Sequence, residues 1–441
     1  MRRRVSWRAP RPHRWLATAS LALLMLLLQA CDNGNGFNPN GNGISTSNNA
    51  KFAGELMFVK AGNIFIFNGA DDKLKQVTFD GDSFQPSLSR DGKTIAFELH
   101  KPGNDYSDLA TMPLSGGTPT LHTDNRLLCK CDPDQSGVYH YEFWAGNPIW
   151  TGDGQNLIFL SDFFKGMATT PTRDNRTCPY NADKDYIQDL GIAEIPANAQ
   201  ALPAVPVRPA RPNPPKQLAW PYCYAGGDQD LSLRPGVSDT EVLFTSFEYI
   251  PPQQSDLGAQ ISLLILPNDS KTERIIQLSP LDAKSIPLEP SFSPDGRYIT
   301  YIRRENSQDN LYIMPVDATI TGTPNDESYL LEDGTNSVYY TNTDYYMKSQ
   351  LLASGIIGQP VWGSNNTLFF TIFDNGEFNL YMARVKFSNP AATPTTGPSA
   401  TPGTTPTASG SATLKITLEG NPVQLTQGGV DADSRPVWFS S

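Results

Sequence analysis

Apolar residues in this chain fall in short runs closed by Gly, Pro, Asn or Asp, and no long segment keeps a helical period. That pattern predicts β-strands joined by tight turns. One run recurs with its turn attached. Gln85-Pro86-Ser87-Leu88-Ser89-Arg90-Asp91-Gly92 leads into Ile95-Ala96-Phe97, and Asn147-Pro148-Ile149-Trp150-Thr151-Gly152-Asp153-Gly154 leads into Leu157-Ile158-Phe159. The clearest copy is Glu289-Pro290-Ser291-Phe292-Ser293-Pro294-Asp295-Gly296, followed by Tyr298-Ile299-Thr300-Tyr301. Gln359-Pro360-Val361-Trp362 precedes Leu368-Phe369-Phe370, with Asn365-Asn366 at the turn. Leu231-Ser232-Leu233 before Val242-Leu243-Phe244 lacks the leading Pro, and Arg435-Pro436-Val437-Trp438-Phe439 is cut off by the C-terminus. In the clearest copies one strand ends in Asp-Gly, which supplies the positive φ of a tight hairpin, and a second apolar strand follows.

A third strand comes next, as in Asn310-Leu311-Tyr312-Ile313-Met314, Asn379-Leu380-Tyr381-Met382, Gly191 to Ile195 and Ile261 to Ile265. A fourth carries Gln-(Leu/Val)-(Thr/Ser): Gln76-Val77-Thr78, Gln277-Leu278-Ser279 and Gln424-Leu425-Thr426. Four antiparallel strands recurring in this way describe propeller blades, so the expected fold is all-β, a six-bladed β-propeller. The C-terminal copy holds only a first strand. The N-terminal segments Glu55 to Val59, Asn63 to Phe67 and Leu74 to Phe79 supply the other three, so the two chain ends complete one blade and remove the exposed sheet edges.

The Pro-x-(Trp/Phe)-Ser-x-Asp-Gly and Asn-Leu-Tyr signatures resemble the TolB-type six-bladed propeller family, a relative of WD-repeat propellers. The resemblance runs from about Gly54 to the C-terminus and implies a fold rather than an activity. The chain departs from that family in its long inter-strand insertions and in having no counterpart of TolB's extra N-terminal domain.

In an antiparallel meander, loops joining strands 1–2 and 3–4 share one face, here the 1–2 face. Loops joining strands 2–3, and one blade to the next, share the other, the 2–3 face. Two Pro-rich insertions, 199–216 and 388–412, are expected between strands 3 and 4 and so on the 1–2 face. The remaining cysteines fall on the 2–3 face. Cys129 and Cys131 lie in a blade-to-blade loop, Cys178 in a strand 2–3 insertion, and Cys223 in the loop leaving that blade. In an exported protein these four read as two disulfides, Cys129 and Cys131 each bridging to Cys178 or Cys223 in an order left open. A four-thiolate zinc site is the rival reading. Aromatic residues accompany them: Tyr139, Tyr141, Phe143 and Trp144; Phe163 and Phe164; Trp220, Tyr222 and Tyr224. Tyr339, Tyr340, Tyr345 and Tyr346, in the insertion before the last full blade, are assigned to the same face. Tyr and Trp offer large contact area at low entropic cost, which suits protein or glycan recognition. The competing reading is that these rings pack the insertions onto the propeller.

The N-terminus alters the setting. Residues 1–30 carry Arg2, Arg3, Arg4, Arg8, Arg11 and Arg14 and no acid, then the apolar run Leu21 to Leu28. That is a signal-peptide pattern, too short in its apolar part to span a bilayer. Leu28-Gln29-Ala30-Cys31 resembles the bacterial lipobox, which implies lipidation of Cys31 as the first mature residue. Residues 31–53, rich in Asn and Gly, read as a flexible tether to a propeller spanning 54–441. The expected location is the bacterial cell envelope, with the membrane reached through the lipid.

Removing the six leader arginines from the 34 basic residues leaves 28 against 45 acidic ones, a formal charge of about −17. That balance argues against nucleic acid as a partner. Catalytic signatures are sparse. His100, His122 and His140 are scattered, and no Gly-x-Ser-x-Gly elbow is present. Asn181, Asp183, Asp185 and Asp189 have the 1, 3, 5, 9 spacing of a calcium loop, but Tyr186 stands at the turn glycine and Ile192 at the closing Glu. No cofactor is otherwise implied. Asp82, Asp431 and Asp433, in blade-to-blade loops, have two readings: a ring around the central channel or, the favoured one, hydrogen-bond acceptors that lock blades together. The leading functional expectation is a non-catalytic, lipid-anchored propeller acting as a binding or scaffold module for an envelope protein, peptide or glycan; a structural scaffold with no discrete ligand is a further reading. The alternative is a channel-mouth enzyme such as a polysaccharide lyase or hydrolase.

Overall fold

The computed structural model describes residues 45–46, 51–101, 103–104, 106–129, 139–142, 144–161, 190–200, 216–219, 227–249, 257–268, 274–330, 336–364, 366–388 and 414–440. Almost all regular structure in this set is β. Blade 1 has the spatial order Val437–Phe439, Glu55–Lys60, Asn63–Asn68, Leu74–Gln76. Blade 2 is Ser83–Leu88, Thr94–Leu99, Asp108–Pro113 and Thr120–Leu121, and blade 3 is Ala145–Trp150, Asn156–Ser161, Gly191–Pro196 and Lys216–Ala219. Blade 4 is built on Gly227–Leu233, Thr240–Tyr249, Leu257–Leu266 and Arg274–Gln277. Blade 5 is Ile286–Phe292, Tyr298–Glu305, Gln308–Pro315 and Gln350–Ala353, and blade 6 is Ile357–Trp362, Thr367–Asp374, Glu377–Ser388 and Lys415–Gln424.

Blade 1 is closed by both chain ends, as its sequence predicts. Trp438 pairs with Leu56 and Val437 with Met57, antiparallel. The second strand of each blade is apolar on both sides because each blade is sandwiched between two others. Glu55–Lys60 and Thr94–Leu99 each bury their four central residues. The core is accordingly a set of seams. Met57, Val59 and Ile64 of blade 1 pack with Ile95, Phe97 and Met112 of blade 2, and Ala96 and Leu109 pack with Leu157 and Phe159 of blade 3. Ile158 and Leu160 meet Val242 and Phe244 of blade 4. Leu243 and Leu263 of blade 4 meet Ile299 and Tyr301 of blade 5. Leu288 and Ile302 of blade 5 pack with Trp362, Leu368 and Phe370 of blade 6. The last seam uses Phe52, whose ring meets Phe369 of blade 6 at 4.8 Å and Phe67 of blade 1 at 5.6 Å. Each seam joins one pair of neighbours, and together they close the ring.

Local chemistry repeats with the blades. At the first turn Ser89 Oγ donates to Asp91 Oδ1 (2.7 Å) and accepts from Thr94 N (3.0 Å), while Gly92 takes φ 70°. Thr151 with Asp153 and Ser293 with Asp295 repeat this arrangement at Gly154 and Gly296. After the fourth strand a hydroxyl accepts from a third-strand amide: Thr78 from Ile64, Ser279 from Ile261 and Thr426 from Leu380. Thr123 does the same for Leu109 in blade 2, where the sequence carries His122-Thr123 and no Gln-Leu-Thr signature.

One placement differs from expectation. The insertion holding Tyr339, Tyr340, Tyr345 and Tyr346 lies between strands 3 and 4 of blade 5, not in a blade-to-blade loop. It therefore leaves from the 1–2 face. Its strand Asn336–Thr341 pairs in parallel with Arg274–Gln277, and Thr323–Leu330 pairs with it in turn, which extends blade 4 to six strands. The short helix Asp344–Met347 belongs to the same insertion. Among the described residues no helix is long and apolar enough to cross a membrane.

Candidate functional site

The inner strand of five blades carries a bulge, and the bulged residue has a left-handed backbone: Gln85, Asn147, Asp230, Glu289 and Gln359, at φ 48° to 60°. An extra residue in an edge strand re-aims its side chain and increases the local twist. Here the side chains link successive blades around the axis. Gln85 N donates to Ser434 Oγ (2.7 Å), and Asn147 N donates to Gln85 Oε1. Glu289 N donates to Asp230 Oδ2 (3.1 Å), and Gln359 N and Nε2 donate to Glu289. Pro follows the bulge in four of these blades and brings no amide hydrogen. Blade 4 has Leu231 instead, and its amide donates to Asn147 Oδ1 (3.0 Å).

The blade 1 residue at this level is Arg435. Its Nη1 donates to Leu231 O (2.9 Å) on blade 4, across the axis of the ring. Burial lowers its pKa, against the raising influence of Asp230 and Glu289. This layer is a floor between two cavities. The one toward the 1–2 face is about 1230 Å³ and is lined by Pro86, Trp150, Arg435 and Trp438 among others. The one toward the 2–3 face is about 500 Å³, and its lining includes Trp144, Asp230, Phe247, Glu289, Phe378 and Asp433.

Two carboxyls near the cavity toward the 2–3 face, an axial funnel, are held in their neutral form. Burial pushes Glu98 up to about 8, while its hydrogen bonds from Trp144 Nε1 (2.9 Å) and Ser107 act in the opposite sense. Burial also pushes Glu289 up to about 8, helped by the charge of Asp230 and opposed by Gln359 and Arg435. Beside the funnel a cavity of about 540 Å³ lies against Glu98, His100, Trp144 and Asp433. The same face carries exposed apolar side chains. Phe79 is 73% exposed in the loop leaving blade 1, and Ile356 and Phe373, 42% and 40% exposed, stand together on blade 6.

Of the aromatic residues expected at a binding face, Trp144 reaches the funnel. Tyr345 is 3% exposed in the blade 4–5 core and donates to Asp317 Oδ2 (2.9 Å), so it offers no contact surface. Tyr346 is half-buried against Tyr301, and Tyr340 packs on the same cluster. These tyrosines take the packing role. Cys129 ends a strand, Arg126–Cys129, that pairs with Tyr139–Glu142 between blades 2 and 3; for Cys129, Tyr139, Tyr141 and Tyr339 only the backbone is described. Cys31, Cys131, Cys178, Cys223, Phe163, Trp220, Tyr222 and the calcium-loop candidates Asn181, Asp183, Asp185 and Asp189 lie outside the described residues. Asp431 locks blades, accepting from Ala61 N (2.8 Å) and Gly62 N (2.9 Å). Asp82 is buried and accepts from Ser83, whereas Asp433 stands at the funnel lip. His122 is tied to Thr111 and to Ala199 O, and His100 to Asn104 O. Among the described residues no three ligating side chains converge in a way that could hold a metal ion.

The funnel residues Asp230, Glu289 and Thr371 and the exposed Phe79, Ile356 and Phe373 carry no signature of their own in the sequence. The signal available is positional: the residue before each inner-strand Pro is polar whatever its identity.

Neither a family model nor a curated protein sequence matches the chain. The solved structure of TolB from Acinetobacter baumannii is similar at 12% identity and a TM-score of 0.48, over 98% of this chain and 74% of that one. The chain is a six-bladed β-propeller with TolB-like structural neighbours. A putative TolB from Agrobacterium tumefaciens is similar at 15% identity and a TM-score of 0.38, over 60% of this chain and 75% of that one. The β-propeller domain of the Trilobed protease from Pyrococcus furiosus is similar at 14% identity and a TM-score of 0.35, over 75% and 80% of the respective chains. At these identities the likeness concerns the fold.

Proposed function

We propose that this chain is a lipid-anchored binding propeller of the bacterial cell envelope that docks a protein or peptide partner on its 2–3 face. The observation that carries this reading is the axial funnel of about 500 Å³ with exposed Phe79, Ile356 and Phe373 on the same face. A concave site with a few convergent polar groups, on a face that also exposes apolar side chains, is a usual form of recognition surface. The anchor is supported by the leader and the Leu28-Gln29-Ala30-Cys31 sequence. Phe52, where the tether meets the propeller, packs at the start of blade 1's second strand, which begins on the 1–2 face. An anchored chain would thus turn its 2–3 face away from the membrane.

A photo-crosslinking residue at Phe373 should capture a discrete partner in intact cells, and one at Arg90, in a 1–2 turn, should not. Capture from Arg90 alone, or equal capture from both, would reject the face assignment. Cys31→Ser should move the chain from the membrane fraction to the soluble fraction; retention in the membrane would reject the lipid anchor.

A further inference from the structure

We infer that the funnel on the 2–3 face receives an organic cation, an ammonium or guanidinium group presented by the partner. The inference rests on the binding reading above and names the chemistry of the group that enters.

The charges lining the funnel are unbalanced. Asp230, Asp309 and Asp433 share it with Arg304, the only cation among the described lining residues, and Arg304 is committed to Asp309 by two hydrogen bonds of 2.7 and 3.1 Å. Glu289, held neutral by burial, adds polar oxygens to the floor. Arg435 lies beneath, held across the axis by Leu231 O, and its charge falls on Asp230 and Glu289. Asp433 at the lip is left without a cationic partner among these groups. A second observation is independent of charge. Thr371 is 1% exposed, lines the same funnel, and its Oγ1 has no hydrogen-bond partner in the structure. A buried hydroxyl without a partner is costly, and a donor entering the funnel would satisfy it.

The walls suit an organic cation. Trp144, Phe247 and Phe378 line the cavity, and aromatic faces attract ammonium and guanidinium groups. Apolar walls lower the local dielectric and strengthen attraction to the carboxylates. The volume, about 500 Å³, lies within the range of roughly 300–1,000 Å³ typical of small-ligand pockets. A carboxylate or phosphate would meet Asp433 and Asp230 first and be repelled.

The test uses the mature chain with three probes of similar size, each N-acetylated so that only the side chain can carry charge: arginine amide, lysine amide and the uncharged norleucine amide, followed by calorimetry. The two cationic probes should bind and norleucine amide should not. Asp433→Asn, at an exposed lip position, should weaken the cationic probes about tenfold, and Thr371→Val should weaken them as well. Raising the salt concentration should weaken binding further. Equal binding of norleucine amide, unchanged binding in both variants, or no binding of either cation would overturn the inference. Crosslinking from Phe373 separates the two levels. If it persists while the cationic probes fail, this inference alone is lost; if it also fails, the binding reading is lost with it.

Discussion

Truncation after Ser434 is expected to abolish cooperative folding of the propeller. It removes the strand Val437–Phe439, which pairs with Glu55–Lys60, and with it the cross-axis bond of Arg435. Trp438 adds a hydrogen bond from Nε1 to Ala53 O (2.8 Å) and fills the space against Gly54 and Gly363. Gly54, at φ 91°, has Phe439 O so close that a Cβ could not be accommodated, and the closing strand therefore presses directly on the start of blade 1. Without it, the edge of Glu55–Lys60, whose four central residues are buried, becomes a template for aggregation. The milder variant Trp438→Ala should cost about 3 kcal/mol, the lower end of the range for large aromatic truncations because the side chain is only half-buried. Urea denaturation checks both. A truncated chain with an unchanged midpoint would show that the ring does not depend on its two ends.

That closure is legible in sequence because its signals are local. Asp-Gly turns, a Pro after the bulge and a hydroxyl after the fourth strand each act within a few residues, and each recurs. The insertion in blade 5 escapes such reading because its fourth strand, Gln350–Ala353, carries no Gln-Leu-Thr signature, and the parallel pairing of Asn336–Thr341 with Arg274–Gln277 joins segments distant in sequence. The funnel is hidden for another reason. Gln85, Asn147, Asp230, Glu289, Gln359 and Arg435 share a position but no single residue type, so no consistent repeat of identity marks them. Their role appears only when six blades bring them to one axis.

The second large effect is a loss of stability as pH rises. Glu98 and Glu289 are both held up to about 8 in the folded protein, chiefly by burial, from ordinary values near 4.5. A raised carboxyl binds its proton more tightly in the folded state. Its contribution to stability is therefore full below about pH 4.5 and is lost progressively as pH rises through about 8. The loss should be on the order of a few kcal/mol for the pair. Glu98→Gln keeps an acceptor for Trp144 Nε1 and removes the titration. It should flatten much of the slope between pH 5 and pH 8 and make the variant more stable than the parent at pH 8 (roughly 1–3 kcal/mol, the scale of a buried group's desolvation). Denaturation series at several pH values read this directly. The exposed, hydrogen-bonded carboxylates Asp91 and Asp153 have lowered pKa values, so their contribution is lost only as pH falls through the carboxylate range, at the opposite end of the scale. A parent protein whose stability rises from pH 5 to pH 8 would mean that Glu98 and Glu289 are ionised in the fold, and that the funnel floor carries more negative charge than its geometry implies.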